Sequence, residues 1–361
     1  MMKTKTFLTT VALVLATALT GTMMTSCSKI DIPVADNDGN PPVPKGKIVV
    51  LSELSADYEA QDGDTLTGTL DGNTQLYKIS IAEGATVVLS DATIKDNDTK
   101  NYPWAGITCL GDATIILDGE NSVEGFDMNN PGILPGPEGT TLTIKGEGKL
   151  TASSRGAAGI GSGCDITCGN IIIEGGDIIA MGGLGSAGIG CGDGYSGTSV
   201  CGDITITGGT VTATGEEYGA GIGSGYGENG TNVCGNITIT GGTVTATGGG
   251  DGAGIGCGFG EDSFPSVCGD IIIESGEGFV SVTAIKGDSA LRPIGRSIDY
   301  EGYNSCGKIM FNDIWTNSND GDRFSYNPVE GNYNGLILTI SSSDPDDPEK
   351  ENDTWTLTPA Y

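Results

Sequence analysis

Apolar and polar residues alternate along much of this chain in runs of the length of short strands. Ile204-Thr205-Ile206-Thr207 leads into Gly208-Gly209 and then Val211-Thr212-Ala213-Thr214. The same phrase returns as Ile237-Thr238-Ile239-Thr240, Gly241-Gly242 and Val244-Thr245-Ala246-Thr247. Period-two alternation of β-branched residues, punctuated by glycine pairs, predicts strands with one buried face joined by tight turns. No single run carries enough apolar area for a core, so the units must stack on one another.

Two anchors set the register of that stacking. Cys168-Gly169-Asn170, Cys201-Gly202-Asp203, Cys234-Gly235-Asn236 and Cys268-Gly269-Asp270 recur at intervals of 33, 33 and 34 residues, and Ala-Gly-Ile-Gly places glycines at 159, 188, 221 and 254. Each unit reads as three short strands. Weaker copies extend the series. Gly106-Ile107 precedes Ala113 to Leu117, Gly132-Ile133 precedes Thr141 to Ile144, and Ile294-Gly295 and Cys306-Gly307 follow the last clear unit. These give roughly eight to ten coils between Thr65 and Phe311, by the logic of a fixed-period repeat.

The expected fold is all-β, a right-handed parallel β-helix over residues 47–311. Each strand would hydrogen-bond to its equivalent one coil along, at about 4.8 Å, with the handedness that parallel crossovers favour. Ile206 and Ile239 should then be axial neighbours, with Ile173 and Ile273 continuing the row. A propeller has a comparable period but requires four strands per blade. Residues 312–361 read as a C-terminal cap, in which Leu336 to Ile340 and Thr354 to Thr358 form a hairpin around an acidic loop and close the exposed strand edge.

The first 26 residues have the form of a lipoprotein signal peptide. Lys3 and Lys5 precede a short apolar stretch from Phe7 to Leu19 that leads to Cys27, too short to span a bilayer. The segment Met24-Thr25-Ser26-Cys27 resembles a bacterial lipobox of the Bacteroidetes type, which implies that Cys27 is lipidated and becomes the first residue. Residues 27–46, rich in Pro and Asp, read as a tether. The expected location is the outer membrane, at the cell surface or on its periplasmic face, with the lipid as the sole membrane attachment.

Nine cysteines remain after Cys27. Cys168, Cys201, Cys234, Cys268 and Cys306 share one position of successive coils; Cys109, Cys191 and Cys257 share another, with Ser162 and Ser224 between them. In-register parallel strands point both side chains the same way, which disfavours the disulfide torsion, so a ladder of buried free thiols is the preferred reading. No CxxC pair occurs that would suggest zinc; Cys164 and Cys168 come nearest.

Charge then narrows the chemistry. The formal charge of −30, from 17 basic and 47 acidic residues, opposes binding to nucleic acid. With no histidine, imidazole catalysis and His metal sites are excluded. Between Arg155 and Lys286 there is neither Lys nor Arg, so the central coils lack the base of a pectate-lyase-type elimination. Arg292 and Arg296 lie near Asp288 and Asp299 beyond the repeats, and Lys145, Lys149 and Arg155 lie before them. These basic residues fit either a site or a salt-bridged flank, and no catalytic residue is assigned.

The loops after Gly-Ile-Gly carry Tyr195, Tyr226 and Phe259, with Asp193 and Glu228 alongside. Stacked on one side of a solenoid they would form an aromatic strip able to bind carbohydrate, the rings meeting sugar C–H faces and the carboxylates taking hydroxyls. The same rings could instead pack on neighbouring loops and shield glycine-rich backbone. Asp193, Glu228, Glu261 and Asp262 also make a candidate calcium set; calcium is optional in this reading and no other cofactor is required.

The units Gly219 to Gly225 and Cys234 to Gly248, preceded by Gly106-Ile107-Thr108 and Ile115 to Gly119, resemble a family of gut-bacterial surface proteins described as carbohydrate-binding-domain, pectate-lyase-like β-helix proteins. The resemblance spans roughly residues 64–310. It implies a surface lipoprotein that binds acidic polysaccharide and calcium, some relatives being suspected adhesins, and it carries no catalytic motif onto this chain. Three functions stay open: a non-enzymatic binder of glycans or host polymers, a polysaccharide lyase or glycoside hydrolase, and a structural stalk or adhesin that meets protein.

Overall fold

The computed structural model describes residues 46–71, 76–96, 102–261, 263–276, 280–297, 304–315, 329–342 and 353–360. Within them the chain forms a right-handed parallel β-helix. A central coil runs Thr198–Cys201, Ile204–Ile206, Thr210–Thr214 and Ile222–Gly223, and the next coil repeats it as Thr231–Cys234, Ile237–Ile239, Gly242–Thr247 and Ile255–Gly256. Four strand segments per coil, rather than the three expected, build three sheets. The extra segment is the one that ends on the cysteine. Its Thr-Ser-Val-Cys and Thr-Asn-Val-Cys phrases follow a polar loop and hide their alternation. The sheet built from Tyr58–Ala60, Ile79–Ile81 and their successors through Ile294–Gly295 has nine strands, one per coil, within the expected eight to ten.

The register is that of like on like. Ile173 pairs with Ile206, Ile206 with Ile239 and Ile239 with Ile273, all parallel, and all four are fully buried. Ile189, Ile222 and Ile255 form a matching row in another sheet. Removing each isoleucine side chain from water contributes about 1.5–3 kcal/mol, and a row of identical side chains packs without a size mismatch from one coil to the next.

Corners are made by residues the pattern supplies. Gly209 and Gly242 turn the chain at φ 84°, a left-handed conformation that glycine enters without the Cβ clash. At the Cys-Gly-Asn/Asp corner the side chain ties one coil to the next. The Asp203 amide donates to Asn170 Oδ1 at 2.9 Å, the Asn236 amide to Asp203 Oδ1 at 2.7 Å, and the Asp270 amide to Asn236 Oδ1 at 2.9 Å. Asn and Asp both serve here because the bond to the next coil uses an acceptor oxygen; Asn170 in addition donates to Thr141 Oγ1 at 3.5 Å.

The far end is closed by a change of direction. Thr354–Pro359 pairs antiparallel with Leu336–Ser341 and also antiparallel with Val280–Ile285, the last long strand of the stack. Trp355 and Leu357 bury against it. A parallel edge that ends on an antiparallel hairpin no longer offers a template for another coil.

Candidate functional site

The loops that follow Gly-Ile-Gly in three successive coils stack through parallel bridges, Gly194 with Gly227 and Gly227 with Gly260. Those bridges fix two rows. Asp193, Tyr226 and Phe259 occupy one, and Tyr195, Glu228 and Glu261 the other. Tyr195 is therefore two residues out of register with the rings it was expected to join. The reason lies in the spacing from the glycine anchor: the ring is the third residue after Gly-Ile-Gly in Tyr226 and Phe259, where the earlier coils have Asp193 and Cys164.

The rings that do meet are Tyr226, Phe259 and Tyr218. Tyr226 and Phe259 stack at 5.7 Å and 25°, and Tyr218 lies 4.6 Å from Tyr226 and 5.8 Å from Phe259. Tyr218 comes from the loop on the other side of the Ile222–Gly223 strand, a partner that the repeat alignment alone did not indicate. Phe259 is 5% exposed whereas Tyr195 is 59% exposed. The expected strip thus divides into a packed cluster that covers glycine-rich backbone and one ring open to solvent.

The loops are held from beneath by buried polar residues. Ser199, Asn232 and Ser266 form an in-register row facing the interior. The Ser199 hydroxyl donates to the Asp193 carbonyl at 2.7 Å, the Asn232 amide group to the Tyr226 carbonyl, and the Ser266 hydroxyl to the Gly225 carbonyl at 3.0 Å. Asn304 continues the row, donating to the Gly258 carbonyl at 3.2 Å. From the other side the Tyr226 amide donates to Gly185 and the Phe259 amide to Tyr218. A buried serine or asparagine before Val-Cys is the sequence signal for this clamp, since a polar residue on an inward strand position needs a partner.

Electrostatics follow from crowded carboxylates. Burial first, then the charges of Glu228 and Asp165, push the Asp193 carboxyl up to about 7. Burial and the hydrogen bond to Glu261, with Glu261 and Glu228 charges added, push the Tyr226 phenol well above its ordinary value; the phenol donates to Glu261 Oε2 at 2.9 Å. Glu228 and Glu261 stand in one row and Asp193 in the other, Asp262 lies outside the described residues, and among the described residues no three His, Cys, Asp or Glu are grouped to hold a metal ion.

Basic residues sit elsewhere. Arg155 reaches back across coils, its Nε 3.5 Å from Glu124 and its Nη2 3.8 Å from buried Asp96, which makes it a tie between corners. Burial and the neighbouring Arg296 lower the Arg292 pKa; Asp299 lies outside the described residues. All nine cysteines from Cys109 to Cys306 are free. Cys201, Cys234, Cys268 and Cys306 are in register, and burial pushes the Cys109 and Cys164 thiols up to about 12, so these two stay protonated; Cys109 packs as a small apolar group and Cys164 donates its S–H to the Gly156 carbonyl at 3.0 Å. Cys27 lies outside the described residues.

A β-helix repeat model matches residues 142–164, 171–193, 204–226 and 237–259. The central coils are β-helix repeats. The four matches end on Cys164, Asp193, Tyr226 and Phe259, which is the row drawn by the glycine bridges and leaves Tyr195 beyond it. No curated protein and no solved structure shows significant similarity to the chain. Among the described residues no helix is long and apolar enough to cross a membrane.

Proposed function

We propose that this protein is a non-enzymatic lipoprotein of the bacterial outer membrane, tethered through Cys27, that binds glycan chains along the stacked loops after Gly-Ile-Gly. The observation that supports it best is the exposed Tyr195 ring, held in the same row as Glu228 on a loop clamped from beneath by Ser199. An open ring with acceptors beside it suits a sugar, whose C–H face stacks while its hydroxyls donate. Tyr218 and Tyr226, both half-buried, extend the apolar surface; Phe259 supports it from below.

The test is a glycan array with the full chain, read together with a reducing-end assay. Tyr195→Ala should weaken binding about tenfold, the loss expected for one stacked ring, and leave the denaturation midpoint unchanged. Undiminished binding in Tyr195→Ala would remove this face from the reading. A second reading rests on one arrangement: burial and the charges of Glu228 and Asp165 push the Asp193 carboxyl up to about 7, the direction in which glycoside hydrolases tune a general acid. New reducing ends that vanish in Asp193→Asn would establish it in place of the first.

A further inference from the structure

The loop face is unusual in what it lacks as a partner for anions. No Lys or Arg occurs between Arg155 and Lys286, while Asp193, Glu228 and Glu261 line the two loop rows and Asp165 lies beside Asp193. An anionic sugar is best held by a cation, and the loops supply none, while several of their N–H and O–H donors are already engaged within the protein. The Gly194 and Gly227 amides donate along the ladder to Tyr226 and Phe259. The Ser196 amide and hydroxyl and the Gly197 amide donate to the Asp165 carboxylate, and the Tyr226 phenol donates to Glu261. What the face offers is acceptors.

We infer that the glycan face takes uncharged or amino-bearing sugars and rejects uronates and sulfated chains. This rests on the glycan-binding reading and runs against the acidic polysaccharide that the family resemblance implies. Sugar hydroxyls, and the ammonium of a hexosamine more strongly, donate to Glu228 and Glu261. A uronate laid on Tyr195 brings its carboxylate against the same groups. Two like-charge contacts on a solvated face weaken binding by about tenfold, with the effect fading as salt rises.

The experiment measures binding of the full chain to a neutral glucan, a chitosan oligosaccharide and polygalacturonate, in EDTA, at low and at physiological salt. Expected is binding to the neutral or amino-bearing chains, with polygalacturonate about tenfold weaker at low salt and the gap narrowing with salt. Glu228→Lys should close most of that gap, and Glu53→Gln, an exposed carboxylate in the first coil, should leave it as it was. The inference is overturned if polygalacturonate binds as tightly as the neutral chain, if its binding returns with calcium, or if Glu228→Lys leaves the preference unmoved. Should no glycan bind at all, the glycan reading itself falls, an outcome distinct from a reversed preference.

Discussion

The inward rows and the outward loop rows are built on the same period and obey different rules. Inside, Ile173, Ile206, Ile239 and Ile273 repeat one residue over four coils. Outside, one loop row reads Asp193, Tyr226, Phe259 and the other Tyr195, Glu228, Glu261. Stacking at strand spacing forces the interior to repeat, because any change of volume is felt by the coils on both sides. The loops stack too, but one side of them is open to water, so a change of side chain there meets fewer neighbours than one inside. Identity marks what holds the rod together, and departure from identity marks where it can meet something else.

The sharpest way to break the contrast is to put a side chain where coils touch backbone to backbone. Gly223 has φ 139°, and a Cβ there would overlap the Gly256 carbonyl oxygen. Gly223→Val should cost on the order of 4 kcal/mol in a denaturant titration. A loss under about 1 kcal/mol would mean that the coils separate easily and that the interior rule is weak. Ile206→Ala, which leaves a void between Ile173 and Ile239, should cost about 3 kcal/mol in the same measurement and leave glycan binding intact.

Asn232 lies where the two rules meet, buried in an inward row yet holding the outward loop at Tyr226. Asn232→Ala removes this donor and leaves the Tyr226 carbonyl with the Gly194 amide alone, a cost of about 1 kcal/mol. Loop order should fall with it, seen as faster amide exchange at Gly225 to Gly227. Asn232→Ser copies the residue found in the coils on either side, Ser199 and Ser266, and should restore most of both. Loss of stability without a change in loop exchange would show that the asparagine merely fills space.

The interior was readable from the chain because period-two alternation and the Cys-Gly and Gly-Ile-Gly anchors specify it directly. Ile206 over Ile239, the free thiol ladder and the closing hairpin all follow from that pattern. The short strands ending on Cys201 and Cys234 were harder, since Ser199 and Asn232 put a polar residue on an inward position. The ring strip failed by two residues: Tyr195, Tyr226 and Phe259 look equivalent when loops are compared by eye, whereas counting from the last glycine of the anchor aligns Asp193 with the rings. Tyr218 was invisible to any such count, because it reaches the site from a different loop.

Asp193 is the place where a carboxyl occupies a position that later coils give to rings, and its proton reports how well that substitution is tolerated. In the unfolded chain the group ionises near its ordinary value of 3.8, while in the fold it holds its proton up to about 7, through burial and the charges of Glu228 and Asp165. Between those values the folded state binds a proton that the unfolded chain has lost, so this group's contribution declines as pH rises, and the whole penalty is present above about 7. Partial exposure to water keeps that penalty to about 1 kcal/mol. Asp193→Asn cannot ionise, so it should raise stability at pH 8 by that amount relative to its effect at or below pH 4, measured as the shift in denaturant midpoint. An identical effect at both pH values would show that the carboxylate is as comfortable there as a ring, and the distinction between packed and open positions in the loops would lose its electrostatic half.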